Sequence, residues 1–373
     1  MRQTRICGFV VSCVICLLLL AAGCTRPTEQ AYKPEPESQK AIETQVKIEE
    51  AVKPEVKPQE TIKVEVKPEV KPEEQKPTVQ LALKFAADDS TTYKVVTEIE
   101  KSVKWEGPLP KEPFAFKGGV TGNRVEMTFT QQIQSVDDKG NAVAQIEIKE
   151  LKYLGKVKDN VVMDFDSTRE KDVNSPLHKL IGQSYTIEIA PVGQVLRVVD
   201  AAQAKTAVEG NTAANKTALA LLSPDIIKER HTIPGLPAAD KNQLRTGDNW
   251  SSIKTYSFDM MGAKSYERVY TLKEVKEENN RKVAFAEMKA VPSSEMAEEL
   301  HKEQAAGLFS KMFDNTETYS GRLKLDLDAG KVKEHLEKLQ TEWVVVDPNP
   351  EAGKEPAALR MTAMRFYSIE KID

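Results

Sequence analysis

The chain contains no cysteine after residue 24, few aromatic residues and no excess of positive charge. All four cysteines lie within the first 24 positions, so the rest of the chain has no disulfide, no thiolate nucleophile and no cysteine-based metal site. Aromatic residues make up 6% of the 373 residues, and the formal net charge is −4. A charge this close to neutral gives no sign of a nucleic-acid-binding surface. We therefore expect no nucleic-acid partner.

Long hydrophobic runs are also missing, with one exception at the N-terminus. Arg2 and Arg5 precede residues 8–20, which are almost entirely apolar, and three small residues follow at 21–23. An apolar run this short, ending in small residues, is typical of a secretory signal rather than of a membrane-spanning helix. We predict that residues 1–23 are a signal peptide.

Residues 20–24 read Leu-Ala-Ala-Gly-Cys, which resembles the bacterial lipoprotein signal. In that signal, small residues precede a cysteine that is acylated and becomes the new N-terminus. The resemblance implies that Cys24 carries the lipid, and that the membrane is a partner through its acyl chains. The resemblance also implies a location at the outer membrane, because the residue after the cysteine is Thr25 rather than Asp. The body would then face the periplasm or the cell surface. The alternative is an ordinary cleaved signal peptide in which Cys24 is incidental.

Proline, lysine and glutamate dominate the residues between 25 and 79. The segment Val-Lys-Pro-Glu-Val-Lys-Pro occurs at 52–58 and again at 66–72. Each proline removes a hydrogen-bond donor, and the mixture of charges leaves little apolar surface to form a core. We predict that residues 24–79 are the lipidated cysteine and a disordered tether. This tether is either a spacer across the cell envelope or a tail that keeps the body off the membrane.

The remaining residues contain two copies of one pattern. At 136–144 and at 275–284, a polar turn rich in Gly or Asn separates two alternating segments, as in a hairpin. Each copy continues to a further alternating segment, at 185–189 and at 323–327, before a glycine-containing turn. We therefore predict a mainly β (α+β) fold of two pseudo-repeated antiparallel β-meander units, at 80–235 and 236–373. The pattern leaves open whether the two units share one core.

A helical stretch is predicted in each unit. Residues 201–222 are rich in alanine and end before Pro224. Residues 293–313 place Met, Leu and Phe at helical spacing after Ser293 or Ser294, with glutamates near the N-terminus. Such a stripe favours a helix packed on the sheet, and a helix facing lipid or a ligand is the alternative.

The order of these elements is similar to an uncharacterised family of bacterial exported and lipid-anchored proteins. The similarity covers residues 81–372 and depends most on Leu-Pro at 236–237 and Gly-Asp-Asn-Trp at 247–250. It implies no activity. We expect Gly247 and Asp248 to form a turn and Trp250 to pack.

Motifs for catalysis and metal binding are missing from the sequence. The histidines have no spacing expected for zinc; they are His178, His231, His301 and His335. No nucleophile elbow or phosphate-binding loop occurs. The acid pairs Asp164/Asp166 and Asp326/Asp328 could each share a strand face, for calcium binding or acid–base work, but their positions favour turn capping. We predict that the protein is not an enzyme and binds no cofactor or metal.

An excursion at 105–119 places Trp105, Phe114 and Phe116 where the second copy has no counterpart. These aromatics could form a binding lip or fold onto the sheet.

The first hypothesis for the whole chain is a non-enzymatic envelope lipoprotein that binds a protein or cell-wall partner. The alternatives are a periplasmic carrier of an apolar ligand and a hydrolase with an unrecognised site. A continuous apolar cavity would favour the carrier.

Overall fold

The computed structural model describes residues 77–107, 118–258, 261–294, 314–346 and 355–372. The predictions for the signal peptide, Cys24, the tether up to residue 76, Phe114 and Phe116 lie outside the described residues. The helix predicted at 293–313 also lies almost entirely outside them, and Ser293 is the last residue of a strand.

Twelve strands form one antiparallel sheet in the described part of the chain. The first repeat contributes β2 (Ser90–Glu106), β3 (Gly119–Val136), β4 (Ala142–Val157), β5 (Asn160–Asp166), β6 (Ser184–Ile189) and β7 (Val195–Asp200). The second contributes β9 (Asn249–Ser257), β10 (Ala263–Glu278), β11 (Arg281–Ser293), β12 (Asp314–Asp326), β13 (Lys331–Val346) and β14 (Ala358–Lys371). Two short strands, β1 (Val79–Gln80) and β8 (Gln243–Leu244), pair separately.

The sheet order is β7-β6-β4-β3-β2-β14-β13-β12-β11-β10-β9, with β5 paired to β4 beside this path. The prediction of a mainly β fold with two antiparallel meanders is confirmed. The predicted hairpins are β3–β4 and β10–β11. In the second, Asn279 and Asn280 form the two-residue turn with φ of 51° and 59°, because the tight hairpin turn that matches strand twist needs positive φ at both positions.

Three helices follow β7: α1 (Ala202–Ala207), α2 (Ala213–Leu221) and α3 (Pro224–His231). The first two take the place of the single alanine-rich helix predicted at 201–222, and α3 begins after that range. The break falls at Gly210, whose φ is 154°. The Asn215 side chain occupies the space beside it and donates to the carbonyls of Val208 and Glu209 at 2.9 and 3.2 Å. None of the helices in the described residues is long and apolar enough to span a lipid bilayer.

The last strand joins the two repeats. β14 pairs with β13 on one side and with β2 on the other, from Ala358 opposite Glu106 to Lys371 opposite Tyr93. One cluster of buried apolar side chains therefore contains residues of both repeats, among them Phe129 and Tyr270. The two copies share a sheet and a core.

Removal of β14 tests this arrangement. A chain truncated after residue 357 loses the strand between β13 and β2, so both meanders gain an open edge. We expect it to lose its cooperative unfolding transition, measured by circular dichroism in urea. A chain truncated after Lys371 keeps β14 and loses one backbone hydrogen bond, from Ile372 to Thr92; we expect a change of about 1 kcal/mol or less. Cooperative unfolding of the shorter chain would contradict the prediction.

Candidate functional site

Helices α2 and α3 lie over one face of the sheet, which we call the inner face. Register pairing places Thr97, Tyr367, Glu337 and Gly321 side by side across β2, β14, β13 and β12 on this face. The Tyr367 hydroxyl donates to the carbonyl oxygens of Arg230 and Thr232 at 3.1 and 3.3 Å. These two bonds fix the C-terminal end of α3 against the inner face.

A cavity of about 250 Å³ lies between the inner face and helices α2 and α3. Most of its lining residues are aliphatic or aromatic: Ile99, Val125, Tyr153, Ala220, Leu221, Ile226, Tyr256, Tyr319, Leu339, Phe366 and Tyr367. The others are Thr97, Glu98, Asn123, Thr217, Glu229, Arg230, Glu337 and Arg365. Both repeats and the helices between them contribute to this wall.

A buried carboxylate, Glu337, lies at the wall of the cavity. It accepts hydrogen bonds from Tyr270 and, at 2.5 Å, from Tyr319. Arg268 Nη1 lies 3.2 and 3.3 Å from its two oxygens, and His335 Nε2 lies 3.5 Å away. Burial alone would raise the pKa of Glu337, but the His335 hydrogen bond and the Arg268 charge outweigh it and hold that pKa well below its usual range. We call these five residues the Glu337 cluster.

The Glu337 cluster can pack as it does only because Gly321 has no side chain. A Cβ at Gly321 would lie 3.2 Å from Glu337 Cγ and only 2.5 Å from the Leu336 carbonyl oxygen. The cluster thus depends on a glycine directly opposite Glu337 in the strand register.

Two tyrosine hydroxyls connect the cavity to Glu337. Tyr256 Oη lies 2.9 Å from Tyr319 Oη. Because Tyr319 donates to Glu337, Tyr256 is the donor to Tyr319. Burial, and then the charge of Glu337, raises the pKa of Tyr256 to about 12. Both hydroxyls are therefore neutral at physiological pH, and the Tyr256 oxygen keeps acceptor capacity.

A second polar group, on α3, is centred on Arg230. Its side chain is 3% exposed. Nη2 donates to the Leu221 carbonyl at 3.0 Å, and Nη1 lies 3.4 Å from Tyr185 Oη. Tyr185 Oη lies 2.6 Å from His231 Nε2. Burial and the nearby Arg230 charge lower the pKa of His231 well below its ordinary value, so His231 is neutral and its Nε2 accepts a hydrogen bond from the Tyr185 hydroxyl.

The sequence-predicted acid pairs act in turns. Asp166 accepts from the Thr168 N–H at 3.0 Å, and Asp326 accepts from the Ala329 N–H at 2.9 Å. Asp164 pairs with Arg169 at 2.9 Å. No group of His, Cys, Asp or Glu side chains in the described ranges is arranged to hold a metal ion.

Trp105 lies near the end of β2, opposite Leu359, where it is half-buried and packs against the core. It is not among the residues that line the cavity.

Gly235, which precedes the Leu-Pro segment, and Trp250 of the Gly-Asp-Asn-Trp segment meet beside the Glu337 cluster. Trp250 Nε1 donates to the Gly235 carbonyl at 3.2 Å, and its ring stacks on Tyr270 at 5.5 Å. A Cβ at Gly235 would lie 2.8 Å from His335 Nε2. Asp248 accepts from the Arg245 N–H at 2.7 Å in a turn where Gly247 has φ of 102°. The expected turn and the packing of Trp250 are both present, and they support the cluster.

Sequence reasoning missed Arg230, Arg268 and Glu337. One signal was available in β13, where His335 and Glu337 occupy inward positions of an alternation that continues to Leu339. A polar pair on the apolar face of a strand indicates a buried partner on a neighbouring strand.

No protein-family model matches the chain, and no match is found among curated proteins. Among solved structures, one titled "Lipid-protein interactions in lipovitellin" is 11% identical, with a TM-score of 0.39. The matched region covers 78% of this chain and only 26% of the lipovitellin chain. DynF from the dynemicin biosynthesis pathway of Micromonospora chersina is 8% identical, with a TM-score of 0.18 over 81% of this chain and 92% of its own. Scores this low carry no conclusion about this protein.

Loss of the Glu337 charge is expected to destabilise the fold. The Glu337→Gln variant keeps the shape of the side chain but leaves Arg268 buried without its counter-charge. We expect the free energy of unfolding to fall by roughly 3 kcal/mol in urea titrations. The double variant Arg268→Met/Glu337→Gln should recover about half of this loss, because no unpaired charge remains buried.

The matched control is Glu334→Gln, on the same strand, where the carboxylate pairs with Arg322 at the surface. We expect a loss of about 1 kcal/mol or less there. A Glu337→Gln variant as stable as this control would contradict a buried ion pair at Glu337.

The neutral state of His231 predicts an acid-dependent stability. Below pH 6.5, the ordinary value for His, the unfolded chain protonates this residue while the folded protein does not. The unfolded state then binds more protons, so the free energy of unfolding falls as pH decreases, by on the order of 1 kcal/mol per pH unit. We expect His231→Gln to remove this part of the slope between about pH 7 and pH 5.

Thermal or urea unfolding at several pH values measures the slope. His178→Gln is the control for the loss of a histidine, since His178 is half-buried on the 3-10 helix Pro176–Leu180 and not on α3; the change of slope in His231→Gln should exceed the change in this control. Equal slopes for wild type and His231→Gln would show that His231 is not held neutral.

Proposed function

We propose that the body of this protein binds a small apolar or amphipathic molecule in the cavity between the inner face and helices α2 and α3. The observation that carries the proposal is a wall of eleven aliphatic or aromatic side chains and eight polar or charged ones. Ligand sites of proteins have this composition, with volumes from about 300 Å³ upward. A cavity of about 250 Å³ suits a small molecule or one chain of an amphiphile.

The lining itself favours an occupant. Ile99 and Tyr153 line the cavity and are half-buried, and Ile226 at its rim is exposed. Water in the cavity would hydrate these apolar surfaces, whereas an apolar ligand would cover them.

Exposed side chains mark the entrance. Ile226 on α3 lines the cavity and is 39% exposed. Ala220 and Glu229, which also line it, are exposed as well. A ligand would therefore enter beside α2 and α3 and extend towards the Glu337 cluster.

A non-enzymatic role is part of the proposal. The lining residues include no serine or cysteine nucleophile, and the Glu337 carboxylate is already engaged by Arg268, Tyr270 and Tyr319. The predicted lipid anchor at Cys24 and the tether to residue 79 would hold the binding site at a membrane of the cell envelope. A carrier or sensor of an envelope amphiphile combines these features.

Binding of a neutral fluorescent probe such as N-phenyl-naphthylamine tests the proposal. The Cys24→Ala chain, purified without detergent, should bind the probe with a saturable rise in fluorescence. Thr97→Trp places an indole at the cavity wall and should weaken binding at least tenfold, because the side chain takes up part of the volume.

Thr128→Trp is the matched control. Thr128 is half-buried on β3 but pairs with Lys94 on the opposite face of the sheet. We expect its affinity for the probe to equal that of wild type. No saturable binding by wild type, or equal loss in both variants, would refute the cavity as the binding site.

A further inference from the structure

Two arginines line the cavity without a carboxylate partner in the part of the chain that the structure describes. Arg230 uses its guanidinium for the Leu221 carbonyl and Tyr185 Oη. Arg365 donates Nη2 to the Ser257 carbonyl at 3.2 Å, and its guanidinium lies 4.9 Å from the centroid of the Tyr256 ring. A guanidinium has five N–H donors, so both side chains keep donors for another group.

The two arginines belong to the same part of the inner face. Arg365 and Tyr367 are two residues apart on β14 and so point to one face of the strand. The Tyr367 hydroxyl donates to the Arg230 backbone carbonyl at 3.1 Å. The end of α3 that carries Arg230 thus lies against the strand that carries Arg365.

The carboxylates at the cavity wall do not neutralise these charges. Glu98 pairs with Arg124 at 2.7 Å, and Glu337 pairs with Arg268. Glu229 is exposed to solvent at the rim. Around Arg230, Tyr185 and His231 are both neutral, because burial raises the pKa of the first and lowers that of the second. A buried guanidinium among neutral groups is costly unless an anion accompanies it.

We infer that the ligand is a single-chain amphiphile whose carboxylate lies against Arg230 and Arg365 and whose chain lies along the wall formed by Ile99, Val125 and Leu339. This inference rests on the proposed function and names the chemical class of its ligand. A carboxylate fits because guanidinium groups bind it through paired, charge-assisted hydrogen bonds. Arg365 pairs with Leu339 on β13 and with Ile99 on β2. Apolar side chains of the cavity wall therefore lie directly beside the guanidinium-bearing residue.

Decanoate and decanol test the inference, because they share one chain length and differ in the head group. Each is titrated into the full chain carrying Cys24→Ala, by calorimetry and by displacement of the neutral probe. We expect decanoate to bind at least tenfold more tightly than decanol. Arg365→Gln should weaken decanoate binding at least fivefold more than it weakens decanol binding.

The matched control is Arg360→Gln on the same strand. Arg360 pairs with Glu106 at 3.2 Å, and also with Glu342, and it does not line the cavity. We expect it to change neither affinity. Arg230→Gln should repeat the effect of Arg365→Gln, with its folding checked by urea unfolding; Arg365→Gln supplies the same test where Arg230→Gln fails to fold.

The outcomes separate the two proposals. Equal affinities for decanoate and decanol would overturn the carboxylate assignment and leave the cavity as an apolar binding site. Equal losses in Arg360→Gln and Arg365→Gln would also overturn it, since a general surface charge would then explain the preference. Failure of both molecules and of the probe to bind would overturn the proposed function together with this inference.

Discussion

The pairing of β14 with β2 is the constraint on which the rest of the structure depends. It joins the end of the chain to the first long strand, so two meanders with open edges become one sheet. The inner face is therefore continuous across both repeats. Thr97 of the first repeat and Glu337 of the second lie on either side of Tyr367, and a cavity lined by both repeats exists only because this pairing does.

The two buried arginines, Arg268 and Arg230, have different electrostatic partners. Arg268 is held against Glu337 with two tyrosine hydroxyls on the same carboxylate, which satisfies the charge within the protein. Arg230 is equally buried, but its contacts are a carbonyl and a neutral tyrosine. The first arrangement stabilises and orients the strands. The second leaves positive potential at the cavity wall, and because of this difference we assign a structural role to the Glu337 cluster and propose a ligand-binding role for Arg230.

Local pattern was sufficient to predict the strands and hairpins. The alternations at 185–189 and 323–327 have period two, and the hairpin at Asn279-Asn280 needs only the residues beside it. The β2–β14 pairing has no such signal, because its residues are far apart in sequence. The division of 201–222 into separate helices depends on Asn215 of α2 filling the space at Gly210 in the preceding loop, a side-chain contact that helical periodicity does not predict. The histidines showed no metal spacing. His335 has its buried partner Glu337 two residues away on the same strand, whereas His231 on α3 has its partner Tyr185 on β6, far away in sequence.

A site of this kind leaves little trace in a sequence because its parts come from many elements. Tyr256, Tyr319, Glu337 and Arg365 lie on four different strands, and Arg230 lies on a helix. Each is an ordinary residue in its own segment, and no fixed spacing joins them. Catalytic motifs arise where reacting atoms need one short loop or one helix face, whereas a cavity for an apolar chain needs volume and apolar walls. An uncompensated charge at such a wall lowers stability, and a bound anion would offset that cost; this is the physical basis of the inference that the ligand carries a carboxylate.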